Sequence, residues 1–292
     1  MIKNLKKNQI LAPYTTFQIG GPADWFLVIR KEKEILPAIQ WAKGEKIPFF
    51  LLGKGSNVLF SDQGFRGLVL KMENEGLEIE SGKLLVESGT SLKKLVELCL
   101  KNSLSGLEFL AGIPGSIGGA VVGNAGAWQQ NIGDKVERVK VITKDDQLEW
   151  LNHGECQFGY RQSRFKQMNE IILQVELRLN RGDGEEIKKR IKDNLEKRQI
   201  QPQEPSAGSI FINPKPDSAG DLIEKCGLKG HQIGGAQISP KHANFIINTG
   251  EAKAKDVLEL ITLAREKVHS KFGLVLKPEV LVLNENGKQI FN

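Results

Sequence analysis

Apolar positions recur along the chain at two spacings, one typical of helices and one typical of strands. The helical spacing predicts helices over 35–43, 92–99, 185–198, 218–226 and 254–272. Short apolar or alternating runs predict strands over 48–52, 68–71, 77–80, 84–87, 139–143, 148–151, 171–179 and 274–283. We expect the strands between 68 and 87 to form a meander, and the charges of 185–198 to form a solvated face. The pattern predicts an α+β protein.

The clearest breaks in this pattern lie in the second half of the chain. Residues 181–184 read Arg-Gly-Asp-Gly, and 201–205 form a linker with two prolines. We therefore expect an N-terminal region over 1–182, with subdomains of about 1–70 and 71–182. A C-terminal domain is expected over 183–292, with its last strand returning to the N-terminal region.

Composition is that of a folded protein and narrows the possible functions. Hydrophobic residues make up 40% and charged residues 26% of the 292 residues. The net charge is +6, but Lys and Arg are scattered among acids, which argues against nucleic-acid binding. The three cysteines form no CxxC pair and the four histidines have no metal-ligand spacing, so we expect neither a disulfide framework nor a metal site.

Residues 109–133 are uncharged and long enough to cross a bilayer. Seven glycines and Pro114 argue against a lipid-exposed helix there, and we expect a buried glycine-rich loop system. No continuous apolar run follows the lysine-rich N-terminus, so no signal peptide is expected. The expected location is the cytoplasm, without membrane association and without an obligate protein partner.

Glycine is unusually frequent, with 31 residues, and is concentrated in two segments, 53–57 and 111–126. The segment 53–57 is not a P-loop, because Pro48 takes the place of the first glycine, and it is not a dinucleotide fingerprint, because Val58 replaces the third glycine. Glycine lets backbone N–H groups converge on a phosphate. The two segments therefore favour a dinucleotide bound without a Rossmann helix, the alternative being two tight structural turns.

Both halves of the chain contain further motifs with a characteristic order and spacing. In the first half they are TTFQIGGPA (15–23), LLGKGSNVLFSDQGFRG (51–67) and GIPGSIGGAVVGNAG (112–126). In the second half they are YRQS (160–163), PSAGSIF (205–211), GGA (234–236), KHANF (241–245) and KPEV (277–280). Together they resemble the motifs of one flavoprotein family, the MurB (UDP-N-acetylenolpyruvoylglucosamine reductase) family. The first set alone indicates only the wider vanillyl-alcohol-oxidase-like FAD-binding superfamily, whereas the second set is specific to the reductase.

The resemblance implies a fold, a reaction and a cofactor. The fold would be a vanillyl-alcohol-oxidase-type FAD-binding α+β region of two subdomains, followed by an α+β substrate-binding domain. The reaction would be NADPH-dependent reduction of the enolpyruvyl ether of UDP-N-acetylglucosamine to UDP-N-acetylmuramate, in peptidoglycan precursor synthesis. Non-covalent FAD would be bound by Gly53, Gly55, Ser56, Asn57, Gly112, Pro114, Gly115, Ser116, Gly118, Gly119, Asn124 and Gly126.

Three residues take catalytic roles by motif match. Arg161 would stabilise charge on the carboxylate side of the substrate, since a planar guanidinium suits bidentate recognition of a carboxylate. Ser209 would be the general acid that protonates the substrate carbon. Glu279, a lone carboxylate in an apolar run, would help Arg161 to stabilise the enol intermediate. Read without the family, these residues would be an ion pair, a turn serine and an edge-strand charge.

Substrate contacts are expected from Tyr160, Asn213, Gln237, His242 and Asn244. Ile212 stands where the family usually has lysine, and a lysine often found before Gln201 is missing, so phosphate contacts would come from Lys215 or Lys241. With only Tyr14 and Tyr160 present, the chain resembles the shorter subclass, without an inserted tyrosine loop. Two alternatives stay open: another flavin-dependent oxidoreduction, and a nucleotide-binding module without catalysis.

Overall fold

The computed structural model describes residues 2–80, 83–168 and 170–291, without the side chain of Glu80. Two compact units are formed by segments that alternate along the chain. The first unit comprises the residues up to Leu27, Ala42–Leu70 and the chain from Gln199 onward. The second comprises Val28–Trp41 and Lys71–Arg198. The expected domain boundary at residue 182 stays a prediction, and the helix Gly184–Arg198 belongs to the second unit.

Six helices are seen in the described residues: α1 (Ile35–Gly44), α2 (Leu92–Lys101), α3 (Ile117–Gly123), α4 (Gly184–Arg198), α5 (Ala219–Lys225) and α6 (Ala254–Phe272). Five of them lie where apolar periodicity predicts helices. Ser91 caps α2, since its hydroxyl accepts from the Lys94 N–H, and Ser218 caps α5 in the same way through Asp221. The helix α3 lies inside the segment expected to be loop, because glycine hides its helical periodicity.

The first unit contains two four-stranded sheets. One has the order Lys6–Ile10, Pro22–Ile29, Phe65–Met72 and Phe49–Leu52. The other is antiparallel, in the order Ser206–Ser209, Phe245–Asn248, Ala236–Ile238 and Gln232–Ile233. A parallel pair joins Val58–Phe60 to Leu281–Leu283. The α6 residues Val257, Leu260, Ile261, Ala264 and Val268 are buried in the core of this unit.

The second unit is built on a five-stranded antiparallel sheet. Its order is Leu148–Asn152, Val136–Ile142, Ile171–Arg178, Lys83–Glu87 and Leu77–Glu80. Two short pairs accompany it, Gly126–Ala127 with Gln130–Asn131, and Leu104–Ser105 with Asn180–Arg181. Apolar faces of α2 and α3 contribute Leu92, Leu95, Ile117 and Val121 to the core of this unit. The predicted hairpin over 139–151 is confirmed.

Two strand predictions are wrong in part. The expected meander does not form, because Phe65–Met72 pairs in a sheet of the first unit, while Leu77–Glu80 and Lys83–Glu87 pair antiparallel in the second. Ser81 and Gly82, where a break between strands was expected, lie outside the described residues. The predicted strand over 274–283 is limited to Leu281–Leu283, because Pro278 lacks an N–H to continue a ladder. The α+β class is confirmed. Among the described residues, no helix combines the length and the apolar character needed to cross a bilayer.

Candidate functional site

In the second unit, the glycine-rich segment passes from an open loop into α3. Ser116 is buried and caps the helix, its hydroxyl accepting from the Gly119 N–H at 3.4 Å. Gly118 donates its N–H to the Ser88 carbonyl at 2.9 Å, and a Cβ on Gly118 would lie 2.9 Å from the Ser88 Cβ. Glycine at 118 is therefore required for packing. Gly112, Pro114 and Gly119 are exposed and form the open side of the segment.

The open side of this segment is compatible with an anionic ligand such as the diphosphate of FAD. A Cβ on Gly119 would meet only the Ser116 Oγ, at 3.5 Å, so space beside this backbone is open to a ligand. The segment from Gly112 to Gly126 contains no carboxylate that would repel a phosphate. Ser88, buried beside Gly118, has a hydroxyl without a hydrogen-bond partner among the described residues, and sequence analysis did not single it out. Phosphate contact by this segment stays a prediction, because the N–H groups of Gly118 and Gly119 are bonded within the protein.

A cation that sequence analysis missed lies at the start of the segment. Arg198, the last residue of α4, donates from Nε to the Ala111 carbonyl at 2.8 Å and from a terminal nitrogen to the Phe109 carbonyl at 3.1 Å. Burial lowers the pKa of the Arg198 guanidinium below its ordinary value. Asn194, one turn earlier, donates to the Glu108 carbonyl at 3.0 Å. The prediction that the charges of this helix form a solvated face is therefore wrong for Arg198, and the uncharged Asn194 is buried on the same side.

Spacing along α4 would have revealed that face. Ile187, Ile191, Asn194 and Arg198 follow one another at intervals of four, three and four residues, which places them on the same side of a helix. The two isoleucines on that side indicate a packed face, and the two polar residues continue it. The prediction of a solvated face was based on the number of charged residues, and most of the lysines and acids lie on the other sides of the helix.

The second unit also holds the Tyr160–Arg161 turn. Gly159 and Gln162 exchange two backbone hydrogen bonds of 3.0 and 3.1 Å, so Tyr160 and Arg161 are the central residues of a tight turn. Arg161 has φ +56°, a left-handed conformation usually taken by glycine at this position. Its guanidinium donates to the Gly126 carbonyl at 3.0 Å, while Tyr160 is half exposed. The second unit thus brings Arg161 and Tyr160 to the end of the glycine-rich segment.

The other predicted cofactor turn, Gly53–Asn57, lies in the first unit. Gly55 has φ +67°, and a Cβ there would lie 2.3 Å from the Tyr14 carbonyl oxygen, so other residues are excluded. The Thr16 N–H donates to the Gly55 carbonyl at 3.0 Å. The amide of Asn57, which is exposed, donates to the backbone carbonyl of Glu279 at 3.1 Å. This turn is therefore bonded directly to the segment that carries a predicted catalytic carboxylate.

Ser209 and Glu279 lie on adjacent segments of the first unit. Ser209 ends the strand Ser206–Ser209 and is half-buried. The next residue, Ile210, accepts the Glu279 N–H at 2.7 Å, and Phe211 pairs with Pro278 as an isolated bridge. The structure thus brings together two of the three predicted catalytic residues, with Asn57 beside them.

The predicted substrate residues of the first unit are largely engaged with backbone. Asn244 is 3% exposed and clamps Phe211, its Oδ1 accepting the Phe211 N–H and its Nδ2 donating to the Phe211 carbonyl, both at 2.9 Å. Asn213 accepts the Ala219 N–H at 3.0 Å, and the Gln237 amide donates to the Gly230 carbonyl at 3.0 Å. Substrate contact by these residues stays a prediction.

His242 is half-buried beside the same clamp. Its Nδ1 accepts the Asn244 N–H at 3.2 Å, which places the proton of the neutral ring on Nε2. Burial lowers the pKa of His242, and the positive charge of Lys229 lowers it further, while Asp221 opposes the shift. Lys229, which sequence analysis missed, forms an ion pair with Glu224 at 3.1 Å. A neutral imidazole with an Nε2–H donor suits recognition of a phosphate or carbonyl oxygen.

Comparison with known proteins identifies the family to which this chain belongs. A family model of the FAD binding domain matches residues 23–152, and a model of the UDP-N-acetylenolpyruvoylglucosamine reductase C-terminal domain matches 201–283. A reductase of that name from Caldanaerobacter subterraneus is 42% identical over 281 residues, covering 95% of this chain and 93% of the relative. The chain belongs to the UDP-N-acetylenolpyruvoylglucosamine reductase family.

Further relatives of this reductase family agree. UDP-N-acetylenolpyruvoylglucosamine reductase 1 of Bacillus anthracis is 44% identical, over 94% of this chain and 92% of its own. The crystal structure of MurB from Thermus caldophilus superimposes with a TM-score of 0.82 at 37% identity, covering 94% of this chain and 97% of that one. The family resemblance and the FAD-binding α+β domain inferred from the motifs are thus confirmed.

Proposed function

We propose that this chain is a UDP-N-acetylenolpyruvoylglucosamine reductase, which uses NADPH to reduce the enolpyruvyl ether of UDP-N-acetylglucosamine to UDP-N-acetylmuramate. The observation that carries the proposal is the 42% identity to a reductase of that name over 95% of the chain. It spans both the glycine-rich segments and the motifs with Arg161, Ser209 and Glu279. The reaction would supply peptidoglycan precursors in the cytoplasm.

FAD, when bound, supplies the hydride chemistry of the reaction. Residues proposed to bind it are Gly112, Pro114 and Gly119, whose backbone is exposed, and, by the family motif, the Gly53–Asn57 turn. The guanidinium of Arg198, bonded to the Ala111 carbonyl, would add positive charge to the glycine-rich segment.

Three side chains would act on the substrate. The Arg161 guanidinium binds and neutralises the carboxylate next to the double bond, which favours the electron-rich enolate that forms there. The Ser209 hydroxyl delivers a proton to the substrate carbon, a step that positioned acids accelerate about 10²–10⁴-fold. Glu279 helps Arg161 to stabilise the enol form. The backbone bond between Glu279 and Ile210 supports a joint role for Ser209 and Glu279.

Recognition of the sugar nucleotide would involve the polar side chains that the motifs predict as substrate contacts. In the first unit, the Nε2–H of His242 and the cationic groups of Lys215, Lys229 and Lys241 are suited to the diphosphate. In the second unit, half-exposed Tyr160 offers an aromatic surface and a hydroxyl. Asn213, Gln237 and Asn244 would support this region through the backbone bonds that they make.

Visible absorption spectroscopy of the purified protein, reconstituted with FAD, tests the proposal. NADPH should bleach the flavin band, and anaerobic addition of the enolpyruvyl UDP-sugar should restore it. A band that bleaches without returning would leave a flavoprotein with a different substrate. Failure to bind FAD at all would contradict the family-based proposal.

The variant Ser209→Ala separates the two half-reactions. Flavin reduction by NADPH should be retained, while reoxidation by the enolpyruvyl substrate should fall about 10²–10⁴-fold because the proton donor is missing. Ser206→Ala, in the same strand, is the matched control and should keep both rates. Equal reoxidation rates in Ser209→Ala and the control would remove Ser209 from the mechanism.

A further inference from the structure

Asn124 was expected to contact the cofactor, but in the structure its polar atoms serve another purpose. The residue directly follows α3, has φ 42° and is 4% exposed. Its Oδ1 accepts the Gly133 N–H at 2.9 Å, and its Nδ2 donates to the Gly159 carbonyl at 2.8 Å. Because both groups are buried and bonded to backbone, the amide is directed into the protein.

Gly159 is the residue from which the Tyr160–Arg161 turn starts. Its carbonyl accepts from Asn124 and also from the Gln162 N–H that closes the turn at 3.1 Å. Two further bonds join the same segments: Ser163 Oγ donates to the Val122 carbonyl at 2.7 Å, and the Arg161 guanidinium donates to the Gly126 carbonyl at 3.0 Å. Residues 122–126 thus hold the turn at its first residue, at the arginine and just beyond its last residue.

A turn of this kind needs external support. Arg161 adopts a left-handed backbone conformation, which is unfavourable for a residue other than glycine. Within the turn, two backbone hydrogen bonds oppose that cost. The hydrogen bond from Asn124 to the Gly159 carbonyl is made by a short, buried side chain. The hydrogen bond from Arg161 to the Gly126 carbonyl is made by a long, flexible side chain.

We propose that Asn124 is a positioning residue, which fixes the Tyr160–Arg161 turn through the Gly159 carbonyl and so sets the direction of the Arg161 guanidinium. The same residue ends α3, the helix that begins in the glycine-rich segment, so one side chain ties the predicted cofactor segment to the predicted catalytic arginine. The inference rests on the proposed function for its kinetic consequence, but not for its structural one.

Asn124→Gly is the informative variant. Glycine adopts the left-handed conformation without strain and is a favoured residue at the end of a helix, so the helix end is preserved while both side-chain bonds are lost. Flavin content is measured for each variant, and the rates are expressed per bound flavin. Reoxidation by the enolpyruvyl UDP-sugar should fall about 10- to 100-fold, the size of effect expected from a misplacement of about 1 Å.

Arg161→Ala distinguishes a positioning role of Asn124 from a general structural role. If Asn124 acts through Arg161, then Asn124→Gly should lower the rate of flavin reoxidation about tenfold or more in the wild-type background. In the Arg161→Ala background it should lower that rate less than about twofold. Equal losses in the two backgrounds would overturn the proposal. Asn131→Ala is the matched control, because Asn131 also makes two side-chain bonds, but both are to Asp134.

Hydrogen exchange gives a readout that does not depend on the reaction. The Gln162 amide should exchange at least about tenfold faster in Asn124→Gly than in wild type, and unchanged in Asn131→Ala. Unchanged exchange at Gln162 in Asn124→Gly would refute the positioning role even if wild type is fully active. Conversely, if wild type fails to oxidise reduced flavin with the UDP-sugar, the proposed function fails and exchange alone decides on Asn124.

Should Asn124→Gly not fold, Asn124→Asp takes its place. Aspartate tolerates a left-handed backbone and keeps an oxygen for the Gly133 N–H, but it places a carboxylate oxygen opposite the Gly159 carbonyl. The same loss of reoxidation and the same faster exchange at Gln162 are expected. A wild-type exchange rate in this variant would overturn the proposal.

Discussion

Each unit presents a predicted catalytic residue beside a buried asparagine, but the two asparagines support their neighbours differently. In the first unit Asn244 clamps Phe211 with both polar groups, and backbone bonds continue on either side, from Ile210 to the Asn244 carbonyl at 2.8 Å and from Ile212 to the Lys277 carbonyl at 2.9 Å. In the second unit Asn124 makes a single bond to an isolated turn.

The difference indicates how each region holds its predicted catalytic residue in place. The segment that follows Ser209 is part of a continuous hydrogen-bonded framework, so the framework itself fixes the serine and Asn244 adds stability. The Tyr160–Arg161 turn has a left-handed arginine and lies outside any extended sheet, so its geometry depends on the side-chain hydrogen bonds that join it to residues 122–126. A substitution in the first region should lower the stability of the protein more than its activity. A substitution in the second region should lower the activity more than the stability.

The largest effect on stability is expected from Asn244→Ala. The change leaves the N–H and carbonyl of Phe211 without partners in the core, and each unpaired buried group costs about 1–3 kcal/mol. We expect a loss of about 3 kcal/mol in the free energy of unfolding, measured by urea denaturation with an unchanged m value.

Asn124→Gly is the comparison for that measurement. Its unfolding free energy should fall by less, about 2 kcal/mol, because glycine preserves the helix end and the Gly159 carbonyl keeps the Gln162 N–H as a partner, which leaves one buried group, the Gly133 N–H, unpaired. If the two variants lose equal stability, the contrast between a framework and a supported turn is broken.

A smaller effect should come from the backbone of Arg161 itself. Arg161→Gly and Arg161→Ala both remove the guanidinium, but only glycine relieves the left-handed conformation at φ +56°. Both variants should lose reoxidation equally, while Arg161→Gly should be more stable than Arg161→Ala by about 1 kcal/mol in thermal or urea unfolding. Equal stability would mean that the turn carries no backbone strain.

Much of this architecture follows from local sequence. The bounds of α6 and the caps of α2 and α5 agree with the pattern, because apolar spacing and a serine hydroxyl act over a few residues. Motifs identified the family and, through it, Arg161, Ser209 and Glu279 as candidates. These features depend on residues that are neighbours in the chain.

Other features depend on partners far away in the chain and could not be predicted. The pairing of Asn124 with Gly159, of Asn57 with Glu279 and of Arg198 with Ala111 joins residues 35 to 222 positions apart. An asparagine in a glycine-rich motif is compatible with a ligand contact or with an internal brace, and only the positions of both partners distinguish them. The strand Leu281–Leu283 was overestimated because its apolar pattern continues beyond its pairing partner, Val58–Phe60.

The smallest expected effect is a dependence of stability on pH. It distinguishes the two regions through one atom, the Nδ1 of His242. His242 accepts the Asn244 N–H in the first unit, whereas Asn124 and Ser163 in the second carry no titratable group. Burial lowers the pKa of His242 in the folded state, so the folded protein binds fewer protons than the unfolded chain just below the ordinary value of 6.5. Stability from this site is therefore complete above that value and is lost as pH falls towards the lowered pKa.

Urea midpoints at pH 7.5 and 5.5 test this dependence. Wild type should lose more stability over that interval than His242→Gln, whose side chain does not titrate but offers an oxygen to the Asn244 N–H. His231→Gln, a substitution at an exposed histidine of the same unit, is the control and should behave as wild type. If His242→Gln shows the full wild-type loss, the imidazole does not carry the pH dependence, and the clamp of the first unit is as insensitive to acid as the turn of the second.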